Sequence, residues 1–343
     1  NQNTSILTAK GTLNKKVIYK HLPRLALVDK LSQQYKYLHW ELEFADIFDS
    51  DHGFDLVLGN PPWSAVNFNL MDVASEFSPM LIIKTLTEDV RKQQIESILN
   101  DRTIKDTIIS ECSSTEGIRN FIGSKSNYPF SRKMKSDLYK SFSELQFLIM
   151  NDKSGISGLL HQNSIFEEEH GGEMREHFYK HLRYHFSFVN QLKLFPIGNT
   201  RVYSINILGH KTQLEPKAKA IFGIYHPKTI DACFSNVASS PTELGKKDTA
   251  GNWNLDGCSE RVIDLNYKYF KFISDFFENG LPSMQVRLIS FRTKSEVVAL
   301  SRLTNSTCKP IEWNSYESNV SIDRVKRNTS FQNPQRFVLQ SAH

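Results

Sequence analysis

Apolar residues form a nearly continuous run at Phe54–Gly59, with Gly53 before it and a turn sequence after it. Such a run is typical of a strand that is buried on both faces of a parallel sheet. Pro61 has no backbone N–H and pushes Asn60 out of the helical region, so the strand is predicted to end there. We therefore expect Asn60–Trp63 at the carboxyl edge of a sheet.

The pattern on either side predicts further strands and helices in alternation. Helices are predicted from residue 71 to about 119 and at 138–150 and 173–182, and strands at 41–48, 156–165, 186–195 and 203–209. Strands joined by helices are typical of an α/β domain, in which ligands bind at the carboxyl ends of strands. The expected fold class is α/β, the second half of a doubly wound, Rossmann-like sheet, followed by a mixed α+β extension.

Three regions are predicted along the chain: residues 1–37, a polar N-terminal segment; residues 38–211, the main domain; and residues 212–343, the extension. Beyond residue 211 the periodicity weakens and turn residues accumulate, as at 239–241, with one helix near 267–277. Because the polar start has no strand-and-glycine pattern, we expect the chain to be a fragment of a longer one.

Composition excludes several classes of protein. A hydrophobic content of 39% in 343 residues allows a packed core, and a net charge of +5 favours polyanionic partners only weakly. The four cysteines form no C-x-x-C pair, which argues against a zinc knuckle or a disulfide framework and fits a reducing cytoplasm. No apolar stretch is long enough to span a membrane, and no secretion signal is recognisable.

The sequence Asn60-Pro61-Pro62-Trp63 can activate an exocyclic amine. Such an amine is a poor nucleophile because its lone pair is delocalised into the ring. The side-chain oxygen of Asn60 and the carbonyl of Pro61 could accept its two hydrogens, and the prolines would fix where that carbonyl points. Trp63 offers a flat face on which an extruded base can stack. This chemistry needs no metal.

Asn60-Pro61-Pro62-Trp63, together with the strand before it, resembles the catalytic motif of amino-methyltransferases that use S-adenosylmethionine. The longer context resembles the large adenine-N6 DNA methyltransferases of fused restriction–modification and phage-defence systems. The resemblance covers roughly residues 38–209, with ordered matches at 38–48, 138–144, 155–165 and 194–209.

This resemblance implies S-adenosyl-L-methionine as the cofactor and double-stranded DNA as the partner. It implies that Asp46, followed by Ile47, contacts the adenine of the cofactor, and that Phe195 packs on the face of the target base opposite Trp63. The family's glycine-rich loop would precede Asp46, yet no two glycines in the chain are separated by one residue. We therefore expect a weak cofactor site and an inactive isolated chain, with the missing loop upstream, beside a nuclease or helicase, or on a partner subunit.

Five basic residues and no acid lie between residues 118 and 135, interleaved with three aromatic residues. Arg119, Lys125, Arg132 and Lys133 are candidate phosphate contacts, and a solvated charged face is the alternative. Histidines also cluster at His161, His170, His177, His181 and His185, but no carboxylate or cysteine completes a zinc set.

Each functional assignment has a structural alternative. Asn60 could belong to an ordinary turn, Asp46 could be a surface acid or a helix cap, and Phe195 could be a core residue. Two functions compete with adenine methylation. One is methylation of a protein glutamine, and the other is a catalytically incomplete fragment or subunit that binds DNA.

Overall fold

The computed structural model of the chain describes residues 6–7, 10–50, 52–82, 86–210, 215–235, 245–278 and 280–305. The chain divides into two compact units, Asn1–His52 and Gly53–His343. Within the described ranges, no helix combines the length and apolarity that a membrane crossing requires.

The described residues of the first unit form four helices: α1 (Lys15–His21), α2 (Pro23–Tyr35), α3 (Trp40–Glu43) and α4 (Ala45–Ser50). The prediction of a strand at residues 41–48 is therefore wrong. Glu41 and Glu43 lie in the first turn of α3, and Asp46 lies in the first turn of α4. Acidic side chains there interact favourably with the positive end of the helix dipole, which outweighs the weak apolar alternation of this segment.

The second unit is built on a six-stranded mixed sheet, which confirms the predicted α/β class. Its strands are β1 (Leu56–Gly59), β2 (Ile156–Gln162), β3 (Leu182–Val189), β4 (Val202–Gly209), β5 (Lys217–Ile224) and β6 (Ile263–Asn266). They are ordered β1-β2-β4-β3-β5-β6. β1 is parallel to β2 and β3 is parallel to β5, whereas β4 runs antiparallel between β2 and β3. The predicted strand at 186–195 begins and ends earlier than expected.

Helices connect and cover these strands. They are α5 (Leu70–Phe77), α6 (Glu88–Asn100), α7 (Arg102–Ile122), α8 (Leu138–Ile149), α9 (Ser164–Glu167), α10 (Gly172–His181), α11 (Lys228–Phe234), α12 (Tyr267–Phe276) and α13 (Lys294–Asn305). The predicted helices at 138–150, 173–182 and 267–277 are confirmed as α8, α10 and α12. Asp101 accepts hydrogen bonds from the amides of Thr103 and Ile104, which fixes the start of α7.

The main hydrophobic core joins β4, β5 and β6 to α10 and α12. Phe178 and Tyr179 of α10, with Phe270 and Ile273 of α12, are almost completely buried there. The Tyr179 hydroxyl donates a hydrogen bond to the carbonyl of Val286, so its polar end is satisfied within the core. This packing places the more buried part of the sheet away from β1.

β1 is the first strand of the sheet and pairs only with β2 within the described residues. Leu56 and Leu58 are 58% and 68% exposed. The prediction that this apolar run is buried on both faces is therefore wrong for the chain as described. The apolar pattern correctly predicts a strand, but the burial of its side chains also depends on neighbouring elements that cover both faces of the sheet.

Gly53 fixes the entry of the chain into β1. Its φ of +122° is accessible to glycine, and an added Cβ would lie 2.7 Å from the carbonyl oxygen of Ile149. Phe54 donates a hydrogen bond to that carbonyl over 2.8 Å, and Asn151 donates to the carbonyl of Phe54 over 2.8 Å. The close approach of α8 therefore sets the start of the strand that carries the motif.

The predicted division at residues 211 and 212 does not end the sheet. Both residues lie outside the described ranges, but β5 and β6 follow them and belong to the same sheet as β1–β4. The reason is the parallel pairing of β5 with β3, which the weak periodicity of the later sequence does not reveal. The turn predicted at 239–241 also lies outside the described residues.

Candidate functional site

The motif lies at the carboxyl end of β1, where the sequence predicts it. The parallel register with β2 runs from Leu56 opposite Ile156 to Gly59 opposite Leu159. Asn60 follows immediately and is exposed, Pro61 is buried, and Pro62 is exposed. The Asn60 side chain is thus accessible, whereas Pro61, whose carbonyl is the second candidate acceptor, is buried.

Trp63 is partly buried and contacts both hydrophobic clusters of the second unit. Its indole N–H donates to the carbonyl of Leu160 on β2 over 3.4 Å. Its ring centroid lies 6.1 Å from that of Phe195 and 6.0 Å from that of Tyr203. The structure therefore brings Trp63 and Phe195, which are 132 positions apart in the sequence, into one aromatic group.

The rings of Trp63 and Phe195 do not form an open sandwich. Their planes are inclined by 53°, whereas a base held between two rings needs them nearly parallel and separated by twice a stacking distance. Packing of the rings against each other removes apolar surface from water. The expectation that these two rings flank a base stays a prediction.

Tyr203 is a third member of the aromatic group, which the sequence analysis missed. Its ring is stacked on Phe188 with an interplanar angle of 0° and meets Phe195 edge to face at 89°. The residue is 1% exposed, and among the described residues its hydroxyl has no hydrogen-bond partner. Burial raises the pKa of this phenol above its usual range. No local sequence signal marked it, because its contact with Trp63 depends on the pairing of β4 with β2 beside the motif strand.

Asn190 holds the loop that carries Phe195. Its side-chain amide donates to the carbonyls of Phe195 and Ile197, each over 3.0 Å, and to that of Gly198 over 3.4 Å. Its side-chain oxygen accepts from the Phe195 amide over 3.1 Å. The backbone N–H of Asn190 also donates to the carbonyl of Arg201. Because Asn190 is completely buried, one side chain fixes the loop between β3 and β4 against the aromatic group.

The chain after the motif is tied to the chain before α8. Val66 donates to the carbonyl of Ser136 over 2.8 Å, and Leu138 donates to that of Ser64 over 3.1 Å, which forms an antiparallel bridge. The basic part of the sequence therefore ends beside the motif. Arg119 and Lys133 are exposed and make ion pairs with Glu116 and Glu173.

The other basic residues differ in their surroundings. Lys125 and Lys135 are exposed and have no ion-pair partner within the described ranges. Arg132 is partly buried, and its Nε has no hydrogen-bond partner among those residues. The candidate phosphate contacts thus lie in one continuous segment. Two lysines of this segment, Lys125 and Lys135, have no ion-pair partner among the described residues.

Asp46 and Ile47 lie on α4 in the first unit. Asp46 is exposed, Ile47 is partly buried, and the Asp46 carbonyl accepts a hydrogen bond from the Ser50 hydroxyl. Asp46 lines an open groove of about 760 Å³ with Glu41, Asp49 and three neighbouring residues. Carboxylates in such a groove could accept hydrogen bonds from the hydroxyl and amino groups of a nucleoside.

Three of the five histidines predicted to cluster, His161, His181 and His185, are buried, whereas His170 is exposed. Asn206 bridges two of them: its amide nitrogen lies 3.0 Å from His161 Nε2, and its oxygen lies 2.7 Å from His185 Nδ1. Burial lowers the pKa of both histidines to about 4. Among the described residues, no group of three or more histidines, cysteines and acids could hold a metal ion.

A model of the Eco57I restriction-modification methylase family matches residues 3–78 of this chain, which include the motif. No curated protein matches. Among solved structures, the methyltransferase subunit of a type I restriction-modification system from Streptococcus thermophilus is 13% identical, with a TM-score of 0.26. The match covers 52% of this chain and 29% of that one.

Two further solved structures are similar over about half of this chain. The ATP-dependent type ISP restriction-modification enzyme LlaBIII, bound to DNA, is 13% identical, with a TM-score of 0.26, and the match covers 49% of this chain and 10% of that one. The DrdV–DNA complex is 14% identical, with a TM-score of 0.27, and the corresponding shares are 49% and 14%. The matches thus span less than a third of each of these three proteins.

Proposed function

We propose that this chain carries the catalytic edge of an S-adenosylmethionine-dependent DNA adenine-N6 methyltransferase of a restriction–modification or related phage-defence system. The observation that carries the proposal is the accessible Asn60 at the carboxyl end of a parallel strand, followed by a buried Pro61. The match of residues 3–78 to a restriction-modification methylase family supports the class of enzyme.

In the proposed reaction, Asn60 accepts one hydrogen bond from the exocyclic amine of an extruded adenine, and the Pro61 carbonyl accepts the other. Both bonds draw the nitrogen towards tetrahedral geometry and free its lone pair. Pro61 is buried, its φ is fixed by its own ring and its ψ is restricted by Pro62, so its carbonyl direction is preorganised for the base. Neither group has to lose or gain a proton to do this. Transfer of the methyl group to the nitrogen would release the thioether of the cofactor and one amine proton, the latter to solvent.

The aromatic group would receive the base. Trp63, Phe195 and Tyr203 pack against one another, so a base that stacks between Trp63 and Phe195 must first separate those two rings. Stacking on an aromatic face is worth about 1–3 kcal/mol per base, which is similar to the few kcal/mol that extrusion of a base costs. Movement of the Phe195 loop would therefore accompany base binding.

S-Adenosylmethionine, when bound, supplies the methyl group as an electrophile on its sulfonium. The acidic groove beside Asp46 fits the hydrogen-bonding groups of the nucleoside part of this cofactor. The methionine part lacks a matching glycine loop, because no two glycines of the sequence are separated by one residue. We therefore propose Asp46, with Ile47 beside it, for the nucleoside part alone.

A second candidate, a DNA-binding chain with an incomplete cofactor site, is favoured by that same absence of a glycine loop. Calorimetric titration of the chain with S-adenosylmethionine tests whether its cofactor site is incomplete, which both candidates assume. Weak or undetectable binding is the expected result for the chain alone. Tight binding would show that it holds a complete cofactor site built from other residues.

The catalytic proposal is tested by Asn60→Ala in an active preparation that includes a complete cofactor site. Methyl transfer to DNA should be lost while DNA binding is retained, since the side chain acts on the amine and makes no phosphate contact. Asn67→Ala is the matched control, because Asn67 is an exposed asparagine shortly after the motif. Near-normal turnover by Asn60→Ala would refute the proposed activation.

A further inference from the structure

The residues from Arg119 to Lys135, called here the basic segment, carry five cationic side chains and no carboxylate. They begin in the last turn of α7 and end just before α8. Most of these residues lie outside regular secondary structure, yet several long-range contacts hold them. The side chains that make these contacts have no place in the reaction proposed above.

Glu144 of α8 is the first anchor of the basic segment. One of its carboxylate oxygens accepts the Phe130 amide over 3.0 Å, and the other accepts the Ser131 amide and hydroxyl over 2.9 and 2.7 Å. Glu144 is 5% exposed, so three hydrogen bonds to a buried charge connect the segment to α8. Bonds of this kind are stronger than those between neutral groups.

Two further contacts hold the basic segment, one at the Phe130 ring and one at the Lys135 backbone. The Phe130 ring is stacked on His177 of α10, with 4.3 Å between the centroids and 13° between the planes. Glu168 accepts the Lys135 amide over 2.9 Å and also pairs with the buried ammonium of Lys140. These contacts fix the backbone of the segment at Phe130, Ser131 and Lys135.

The anchored segment leads directly to the motif. Just after the basic segment, the carbonyl of Ser136 accepts the Val66 amide, and the Leu138 amide donates to the carbonyl of Ser64. The chain that continues the segment is therefore hydrogen-bonded to two of the three residues that follow Trp63. Duplex DNA whose adenine reaches Asn60 has its phosphates near the chain that surrounds the motif. Cationic side chains at that place suit a polyanion such as the DNA backbone.

We propose that the basic segment is a preformed binding surface for the phosphate backbone of duplex DNA, with Lys125 and Lys135 as phosphate contacts and Glu144 as a positioning residue. This inference rests on the proposed function, since it takes DNA as the substrate. To that function it adds two unpaired lysines, Lys125 and Lys135, as the phosphate contacts. It also adds Glu144 as the carboxylate that holds the backbone of the basic segment at Phe130 and Ser131. Glu144 favours DNA binding through the hydrogen bonds that it accepts, although its negative charge by itself repels phosphates.

The first test measures DNA binding by the full 343-residue chain over a range of salt concentrations, using fluorescence anisotropy with a labelled duplex. Each lost phosphate contact lowers the slope of log K against log salt by about 0.9, which is roughly eightfold in affinity at about 0.1 M salt. Lys125→Gln/Lys135→Gln should therefore lower the slope by about 1.8 and the affinity roughly sixtyfold. Lys217→Gln/Lys268→Gln, which neutralises two exposed lysines elsewhere in the second unit, should change the slope little.

The second test separates positioning from charge. Glu144→Gln and Glu173→Gln each remove one negative charge, so electrostatics alone predicts tighter DNA binding for both. Glu173 is exposed and pairs with Lys133, and its replacement should tighten binding. Glu144→Gln should weaken it, because the amide keeps an oxygen for one of the N–H groups of Phe130 and Ser131 and turns a donor towards the other. Circular dichroism of both variants checks that the fold is retained.

The outcomes distinguish this inference from the proposed function. DNA binding with an unchanged salt slope in the double-lysine variant would overturn the basic segment as the phosphate surface and leave the methyltransferase proposal standing. Tighter binding by Glu144→Gln would overturn its positioning role. If the unmodified chain binds no duplex DNA at low salt, both this inference and the DNA substrate are wrong.

Discussion

Replacement of Asn190 by Ala should destabilise the loop that carries Phe195. The substitution removes three donated hydrogen bonds and one accepted hydrogen bond, of which three are 3.0 to 3.1 Å long. A typical intramolecular hydrogen bond contributes about 1 kcal/mol net, so we expect a loss of about 3 kcal/mol. Asn190→Asp should cost at least as much, because a carboxylate would face three carbonyl oxygens without a donor.

Two measurements follow this effect. Urea unfolding monitored by circular dichroism gives the free energy of unfolding, and amide hydrogen exchange followed by mass spectrometry reports on residues 193–201. Exchange in this loop should accelerate in Asn190→Ala and remain unchanged in Asn199→Ala, which alters an exposed asparagine of the same loop. A stability within about 0.5 kcal/mol of the original protein, with unaltered exchange, would refute the proposed role of Asn190.

Two further predictions concern buried charge. The pKa of His161 and of His185 is about 4, below the 6.5 of an exposed histidine, so their protonation favours the unfolded chain: stability should be complete above pH 6.5 and fall down to pH 4, by roughly 3 kcal/mol per histidine. Urea unfolding between pH 7 and pH 5 measures the larger part of this fall, about 2 kcal/mol per histidine. The exposed His170→Gln should leave the profile unchanged, and a flat profile would contradict the assigned burial. Lys140→Met should lower stability by about 3–5 kcal/mol, because it leaves the carboxylates of Asp137 and Glu168 without their buried cation. The exposed pair of Lys271 with Asp275 provides the control: Lys271→Met should cost less than about 1 kcal/mol, and equal losses in the two variants would contradict the distinction.

Local sequence predicts the elements that local chemistry determines. Pro61 ends β1 and fixes the position of Asn60, and helical periodicity locates α8 and α10 within one or two residues. The same approach fails at residues 41–48, where a short apolar alternation competes with acids that favour helix starts. It also fails for the burial of Leu56 and Leu58, because burial depends on what covers the strand.

The parts of the site that depend on long-range contacts could not be predicted. Tyr203 joins Trp63 only because β4 inserts beside β2 in the opposite direction. Glu144 follows the backbone it anchors by 13 or 14 residues, and nothing in its local pattern distinguishes it from a surface acid of a helix. The site therefore needed the structure for its supporting residues, whereas the motif itself was visible in the sequence.

The central claim, methylation of adenine in DNA through Asn60, is tested most directly in a host strain that carries the gene in its native genetic context. Genomic DNA from strains with the original gene, with Asn60→Ala and with Asn67→Ala is digested to nucleosides and analysed by mass spectrometry. N6-Methyladenine should be present with the original gene and with Asn67→Ala, and its level should fall with Asn60→Ala. An equal amount of N6-methyladenine in all three strains, or a change confined to methylated cytosine or to methylated glutamine in protein, would contradict the account.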